Sequence, residues 1–209
     1  MIKNKCKICR RLGTKLFLKG ERCNSVKCAM VKRPYAPGEK AKKRRSSLSE
    51  YGKELKEKQK LRNYYNLSEK QFKNYVKQAL ESRAKEEDTV SILLKKLESR
   101  FDNVVFQMGF ASSRTKARQA VTHGYFLINN RKVNIPSYQV KKGDKISLHP
   151  KASKKALFQG LSVALKKYKA PSWIRIDADK MEVEIINQPN IEEMTPPAEV
   201  SSIFEFYSK

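Results

Sequence analysis

The residues between positions 90 and 108 carry the strongest folding signal in the chain, because apolar side chains recur there at helical spacing. These side chains are Val90, Leu93, Leu94, Leu97, Phe101, Val104, Val105 and Met108. A spacing of three and four residues places them on one face of an α-helix, and that face must be buried. Gly109 is a typical residue just beyond a helix end. We therefore predict one long amphipathic helix that ends at Gly109 and contributes to a core.

A further helix and a small antiparallel sheet are predicted after Gly109. Ser112 or Ser113 can cap a helix that runs to His123 and ends at Gly124. The predicted strands are residues 125–128, a segment around Val133 and residues 145–148. Asn129 and Asn130 separate the first two strands and tolerate the positive φ angles of a tight hairpin turn. The order is therefore helix, helix and sheet.

Helices are also predicted on both sides of this region. The segment from about residue 48 to residue 86 has the pattern of a helical hairpin, with Asn66 at the left-handed position after the first helix. Its helix starts are marked by two capping boxes, Ser47 with Glu50 and Ser68 with Gln71. A last helix is predicted for residues 153–168. The sequence thus indicates a mainly helical α+β protein.

The charge of the chain defines its class of partner. The 46 Lys and Arg residues against 21 Asp and Glu give a formal net charge of +25 on 209 residues. Residues 1–62 carry +16, residues 63–170 carry +14 and residues 171–209 carry −5. Such a surface favours a polyanion, and phosphate contact is expected outside the acidic C-terminal part. No apolar run predicts a membrane span or a signal peptide, so a cytoplasmic protein without a membrane partner is expected.

Four cysteines near the N-terminus have the spacing of a metal site. Cys6, Cys9, Cys23 and Cys28 form a C-x2-C pair, thirteen residues and a C-x4-C pair. Two close pairs can supply four thiolates to one tetrahedral zinc ion, which would staple the loop-rich residues 1–45 and leave no open position for catalysis. Two alternatives stay open: an iron–sulfur cluster on the same four cysteines, and free or disulfide-paired cysteines.

The helix predicted after Ser113 has a basic face. Arg114 and Arg118 lie one turn apart, with Lys116 and Gln119 nearby, while Ala117, Ala120 and Val121 face the core. This arrangement suits contact with phosphates. The alternative is an ordinary solvated helix face.

Two sequence segments resemble a known RNA-binding module. LESRFDNVVFQMGFASSRTKARQAVTHG and the following INNRKVNIPSYQVKKGDKIS are similar, over residues 97–148, to the module named after small-subunit ribosomal protein four. That module also occurs in tyrosyl-tRNA synthetases, pseudouridine synthases and heat-shock RNA-binding proteins. LFLKGERCNSVKCAMVKRPYAPGEK, LKEKQKLRNYYNLSEKQF and the terminal FEFYSK resemble the bacterial type of this ribosomal protein family, in its four-cysteine zinc-binding form.

The resemblance implies a domain organisation and a function. It implies a metal-binding basic segment at 1–45, a helical domain that begins at 46–96, the inserted RNA-binding module at 97–159, and residues 160–209 returning to the helical domain. It also implies a structural role in the small ribosomal subunit, early binding to a junction in the 5′ domain of small-subunit rRNA, nucleation of assembly, and a contribution to translational accuracy through small-subunit protein five. Messenger RNA is a further expected partner.

Charge and resemblance together select the candidate RNA-binding residues. They are Arg10, Arg11, Lys15, Lys19, Arg22, Lys42, Lys43, Arg44, Arg45, Lys58, Lys60, Arg62, Arg114, Lys116, Arg118, Gln119 and His123.

Two other classes of protein share some of these features. An RNA-modifying enzyme could carry the same module, but only His123 and His149 are available as histidines, and no Gly-rich phosphate loop or catalytic domain is left over. A zinc-dependent DNA regulator would need a recognition helix after the metal site, where this chain has a linker rich in proline and lysine. We therefore expect a protein that is not an enzyme and has no small-molecule substrate.

Overall fold

The computed structural model describes residues 4–38, 47–82, 88–153, 155–190 and 193–208. The chain forms two compact units. The first unit comprises Met1–Leu93 together with Thr195–Lys209, and the second comprises Leu94–Met194. The first unit is therefore assembled from two separate stretches of sequence.

The first unit is helical. Its described helices are α1 (Lys5–Leu12), α2 (Glu21–Asn24), α3 (Ala29–Lys32), α4 (Glu50–Tyr64), α5 (Glu69–Glu81), the start of α6 (Thr89–Glu98) and, after the second unit, α11 (Ser201–Ser208). Helix α11 packs against α4, and Ile203 of α11 is fully buried. The short helices α1 and α3 pack together around a small core of Cys9, Leu12, Leu16 and Leu18.

The helical hairpin has the expected turn and one shifted cap. Asn66 has a φ of 55°, so the left-handed residue between α4 and α5 is confirmed. The capping box of Ser68 and Gln71 is also confirmed, because each side chain accepts a hydrogen bond from the other's backbone N–H. The cap of α4 is Ser49, whose hydroxyl accepts a hydrogen bond from the Gly52 N–H at 3.2 Å. The predicted box at Ser47 is therefore wrong by two residues.

The second unit places helices on an antiparallel sheet. It contains the end of α6, α7 (Phe101–Gln107), α8 (Arg114–Thr122), α9 (Pro150–Ser153), a 3-10 turn (Ala156–Phe158) and α10 (Leu161–Lys167). The strands are β1 (Phe126–Ile128), β2 (Arg131–Lys132), β3 (Lys145–Leu148), β4 (Ile174–Asp177) and β5 (Glu182–Ile185), in the order β2-β1-β3-β5-β4. Neighbouring strands are all antiparallel. Asn129 and Asn130 have φ angles of 50° and 65°, as the hairpin requires.

The long helix predicted for residues 90–108 is two helices. The backbone turns at Arg100, which has an extended conformation. The N–H of Phe101 donates to the carbonyl of Tyr138 at 2.9 Å, and the N–H of Val140 donates to the carbonyl of Ser99 at 2.9 Å. These backbone groups are used by a segment some forty residues away, so they cannot continue the helix. The apolar spacing is the same in both helices: Leu93, Leu94 and Leu97 of α6 are buried, and Phe101, Val104 and Val105 of α7 lie in the core of the second unit.

Three further expectations need correction. Residues 1–45 are not all loop, because Ile8, Cys9 and Leu12 give α1 a buried or half-buried face. The helix predicted for 153–168 is interrupted at Gly160, which has a φ of 71°. Residues 160–194 belong to the second unit, because β4 and β5 extend the sheet beyond β3 and bury apolar side chains in its core.

Candidate RNA-binding surface

The four cysteine side chains line one small cavity in the first unit. Cys6 and Cys9 come from α1, Cys23 from α2, and Cys28 from the residue before α3. The cavity has a volume of about 20 Å³. The N–H of Lys19 donates to the sulfur of Cys23 at 3.4 Å. None of these four cysteines forms a disulfide bond.

Burial and mutual charge act on these thiols. Burial raises the pKa of the Cys9 thiol, a hydrogen bond from the Leu16 backbone opposes this, and the charges of Cys23, Cys6 and Cys28 raise the pKa further. The donor set, four sulfurs around one cavity, is of the kind that binds zinc. Among the described residues, however, no group of three or more His, Cys, Asp or Glu side chains is arranged closely enough to hold a metal ion. The zinc-stapled segment stays a prediction.

Arg10 has a structural role beside this cavity. Its Nε donates to the carbonyls of Arg33 and Tyr35, at 3.0 and 2.8 Å. Its guanidinium also lies 5.1 Å from the centre of the Tyr35 ring. Arg10 therefore fastens residues 33–35 to α1. The other candidates of this segment, Arg11, Lys15, Lys19 and Arg22, are exposed.

A cavity between α1 and α4 brings two groups of candidate residues together. It has a volume of about 570 Å³, and its lining includes Lys7 and Arg11 of α1 with Gln59 and Arg62 of α4. Arg11 and Arg62 were predicted to bind RNA from segments fifty residues apart. Lys7 was missed, although its position four residues before Arg11 on a helix would have placed both on one face.

The candidates on α4 are largely occupied within the protein. Lys58 is only 6% exposed, and its Nζ lies 2.6 Å from Glu69 Oε1 and 4.4 Å from the centre of the Phe206 ring. Lys60 pairs with Glu57 at 2.6 Å, and Arg62 pairs with Glu69 at 2.8 Å. Lys58 thus packs α5 and α11 against α4, and the structure does not place it on an RNA-facing surface.

Arg114 is not on an exposed helix face, so that part of the prediction is wrong. Its side chain is 8% exposed. Its Nε donates to Asn103 Oδ1 at 2.7 Å, and its guanidinium lies 4.5 Å from the centre of the Phe106 ring. Because α7 supplies both contacts, Arg114 joins α8 to α7.

The rest of α8 follows the predicted division of faces. Ala117, Ala120 and Val121 are buried. Lys116 and Gln119 are exposed, as is His123 at the end of the helix. Arg118 is partly exposed, and its Nη1 lies 3.7 Å from Asp102 Oδ2.

An aromatic pair lies at the end of the exposed face of α8. The imidazole of His123 stacks on the ring of Tyr125, with centroids 5.3 Å apart and planes 22° apart. An exposed polar face with an aromatic pair at its end is the arrangement expected of a surface that contacts RNA.

The remaining candidates, Lys42, Lys43, Arg44 and Arg45, lie outside the described residues.

Two family models match residues 1–146, and curated relatives match nearly the whole chain. Residues 1–98 match the Ribosomal protein S4/S9 N-terminal domain, and residues 99–146 match the S4 domain. Small ribosomal subunit protein uS4 of Kosmotoga olearia is 48% identical over 98% of this chain and 96% of its own length. The proteins of the same name from Natranaerobius thermophilus and Thermus thermophilus are each 44% identical with the same coverage.

The basic surface, the helical first unit and the matched S4 domain define an RNA-binding protein of the ribosome. The chain belongs to the small ribosomal subunit protein uS4 family. Its place is the small ribosomal subunit, of which it is a structural constituent. The relatives are ribosomal proteins rather than enzymes. No helix in the described part of the chain is long and apolar enough to cross a membrane.

Proposed function

We propose that this protein binds a helical junction in the 5′ domain of small-subunit rRNA and nucleates assembly of the subunit there. The observation that carries the proposal is the cavity between α1 and α4, where exposed Lys7 and Arg11 lie beside Arg62, which is itself paired with Glu69. Exposed Lys15, Lys19 and Arg22 extend the positive charge along the same unit. Several separate cationic points suit a folded RNA, whose phosphates approach from more than one direction.

The proposal is tested by filter binding with a transcript of the 5′ domain and with duplex DNA of the same length. We expect tight binding to the transcript and weak binding to DNA. With roughly six to ten phosphate contacts, RNA affinity should fall about a thousandfold or more between about 50 and 200 mM salt. Equal affinity for both nucleic acids would favour the rival DNA-binding function, and a flat salt response would contradict a phosphate-dominated interface.

The face of α8 contributes a second contact in this proposal. Lys116→Glu combined with His123→Ala should weaken binding of the transcript while the circular dichroism spectrum is unchanged, because both side chains are exposed. Arg114→Ala serves as a contrast. It should lower thermal stability, because it removes the contacts to Asn103 and Phe106 that join α7 and α8. Unchanged RNA affinity in the first variant would remove α8 from the interface.

We also propose that Cys6, Cys9, Cys23 and Cys28 bind one zinc ion. The C-x2-C and C-x4-C spacing and the shared cavity support this proposal. A bound zinc ion would supply structural order only, because four thiolates leave no site for a substrate or water. Metal analysis of the protein purified without chelator should give one zinc per chain, and iron with sulfide would favour the cluster.

We further propose that this protein contacts small-subunit protein five and that this contact contributes to translational accuracy. The acidic balance of residues 171–209, net −5, makes this part of the chain a better candidate for protein contact than for phosphate contact. Purified protein five should be retained by the immobilised full chain. Retention that is lost on adding 5′-domain RNA would argue that the two partners compete.

A further inference from the structure

A cavity of about 510 Å³ in the second unit shares no lining residue with the RNA-binding candidates. It is bounded by the end of α6, by the segment that leads into β3, and by residues on either side of β4 and β5. Its volume is in the range of pockets that hold a ligand of nucleotide size. None of its lining residues is acidic.

Four lysines converge on this cavity from two distant segments. Lys95 and Lys96 lie in the last turn of α6, and Lys141 and Lys142 lie in the turn before β3. The hydrogen bond from Gln139 Nε2 to the Lys96 carbonyl, at 3.2 Å, holds the two segments together. Lys141 and Lys142 are exposed. Within the described residues, no ion pair occupies Lys96, Lys141 or Lys142.

The floor of the cavity differs from its rim. Val140, Trp173 and Ile185 form an apolar floor and are each less than 10% exposed. Asn187 and Gln188 stand exposed at the edge, where their carboxamides can both donate and accept hydrogen bonds. These groups match the parts of an unpaired nucleotide. The face of the base can pack on the apolar floor, its polar edge can form hydrogen bonds with the carboxamides, and the phosphates can pair with the lysines.

We propose that this cavity is a second RNA contact, which takes an unpaired nucleotide and holds its flanking phosphates with the four lysines. The inference rests on the proposed rRNA-binding function and adds a subsite to it. Paired RNA would bring phosphates to the lysines but keep its base faces stacked, so the apolar floor selects single-stranded RNA. An acidic peptide would satisfy the lysines and leave the floor uncovered.

The position of Trp173 makes the proposal directly measurable, because it is the single tryptophan of the chain. The full chain is titrated with a short single-stranded oligoribonucleotide of mixed sequence, with duplex RNA of the same length, and with polyglutamate. We expect saturable quenching of tryptophan emission by the single strand and little change with the other two. Unchanged emission when the single strand is fully bound would overturn the proposal, as would equal quenching by duplex or by polyglutamate.

A charge-reversal pair tests the lysines against a matched control. Lys141→Glu with Lys142→Glu is compared with Lys167→Glu with Lys169→Glu, an exposed pair of the same unit that does not line the cavity. Both variants change the net charge equally. We expect the cavity variant to bind the single strand at least about tenfold more weakly than the control, with a salt slope smaller by roughly 1.4 for two lost phosphate contacts.

The possible outcomes distinguish failure of the proposed nucleotide cavity from failure of the proposed rRNA-binding function. If wild-type protein fails to bind the 5′-domain transcript, the proposed function fails. If it binds the transcript but the two variants lose affinity for the single strand equally, the cavity is not a subsite and the proposed function stands. Should the double reversal unfold the unit, Lys142→Gln replaces it, with an expected decrease of roughly 0.7 in the salt slope. An unchanged slope would then overturn the inference.

Discussion

The cysteine segment of the first unit and the core of the second unit are held together in different ways. Helices α1, α2 and α3 have eight, four and four residues, and the apolar core around them consists of Cys9, Leu12, Leu16 and Leu18. The second unit has one continuous core that runs from Phe101 to Ile185. Short helices are only weakly stabilised by their own backbone hydrogen bonds, so the stability of the cysteine segment depends on a small number of side-chain interactions. The second unit distributes its stability over many contacts.

The largest difference is expected when the cysteines are changed. Cys6→Ser with Cys9→Ser should remove the proposed zinc ion, whose binding to such a site is worth roughly 10 to 16 kcal/mol. We expect increased protease cleavage before residue 38 and weaker RNA binding, because Arg11, Lys15 and Lys19 lose their fixed positions. The main thermal transition should stay in place, since the second unit has its own core.

The control for this experiment is Val26→Ser combined with Ser47→Ala, two exposed positions of the same unit. Protease sensitivity and metal content of that variant should match those of the wild type. Unfolding of the whole protein on loss of the two cysteines would show that the cysteine segment and the second unit are not independently stable.

The next largest effect is expected in the core of the second unit. Phe126 is fully buried, and its ring centroid lies 5.9 Å from those of Phe101 and Phe110 and 6.0 Å from that of Phe158. Phe126→Ala should lower the free energy of unfolding of this unit by about 3 to 5 kcal/mol. Urea unfolding followed by circular dichroism measures the loss. A loss near zero would mean that the core does not act as one cooperative body.

A smaller effect is expected for the charged cluster that attaches α11. Glu69 accepts hydrogen bonds from Lys58, Arg62 and the Tyr207 hydroxyl. Glu69→Gln should lower the free energy of unfolding of the first unit by about 1 to 2 kcal/mol, since the side chain is half exposed and Lys58 loses its charged partner. Glu57→Gln is the milder control, because it affects the pair with Lys60 and one hydrogen bond that Glu57 Oε2 accepts from the Glu199 N–H.

The same cluster gives a pH dependence with a defined sign. Burial raises the pKa of Glu69, but the hydrogen bond and charge of Lys58 outweigh it and hold the pKa below its usual value near 4.5. A lowered pKa contributes stability that is fully present above the unfolded value and is lost as the pH falls through the folded value. The first unit should therefore lose stability below about pH 4.5. Glu69→Gln should flatten this loss, and an equally steep loss would assign it to other carboxylates.

At the hairpin, two adjacent asparagines behave differently, and the smallest effect of all is expected at Asn130. Asn129 Nδ2 donates to Asp144 Oδ1 at 2.9 Å, and Asn129 Oδ1 accepts from the Lys145 N–H at 3.0 Å. Asn129→Gly should therefore cost about 1 to 2 kcal/mol. Asn130 has a φ of 65°, which glycine adopts without strain, so Asn130→Gly should be neutral or stabilising by less than about 1 kcal/mol. Thermal unfolding of both variants, measured side by side, checks the sign of each change.

Sequence patterns predicted the features that depend on neighbours in the chain. The capping box at Ser68, the positive φ of Asn66 and the hairpin at Asn129 all follow from local hydrogen bonding and backbone preference. The break at Arg100 could not be predicted, because it is made by hydrogen bonds from a distant segment. The apolar periodicity is the same on both sides of that break.

The exposure of the candidate RNA-binding residues also could not be predicted from local sequence. Arg114 and Lys116 are both basic residues in the first turn of α8, and nothing local separates them. Only the positions of Asn103 and Phe106 on α7 decide that Arg114 is buried while Lys116 is exposed. Lys58 is a parallel case, because its partners Glu69 and Phe206 come from two other helices. A basic residue is easy to find in a sequence, but its neighbours determine whether it faces RNA.

The discontinuity of the first unit has a consequence for the order in which the newly made chain folds. A ribosome delivers residues from the N-terminus onward, so all of Leu94–Met194 has been made before α11 exists. Until then, α4 lacks the helix that covers it, and Lys58 lacks the aromatic rings of Phe206 and Tyr207. The second unit can therefore fold without α11, while the first unit cannot be completed before α11 is available.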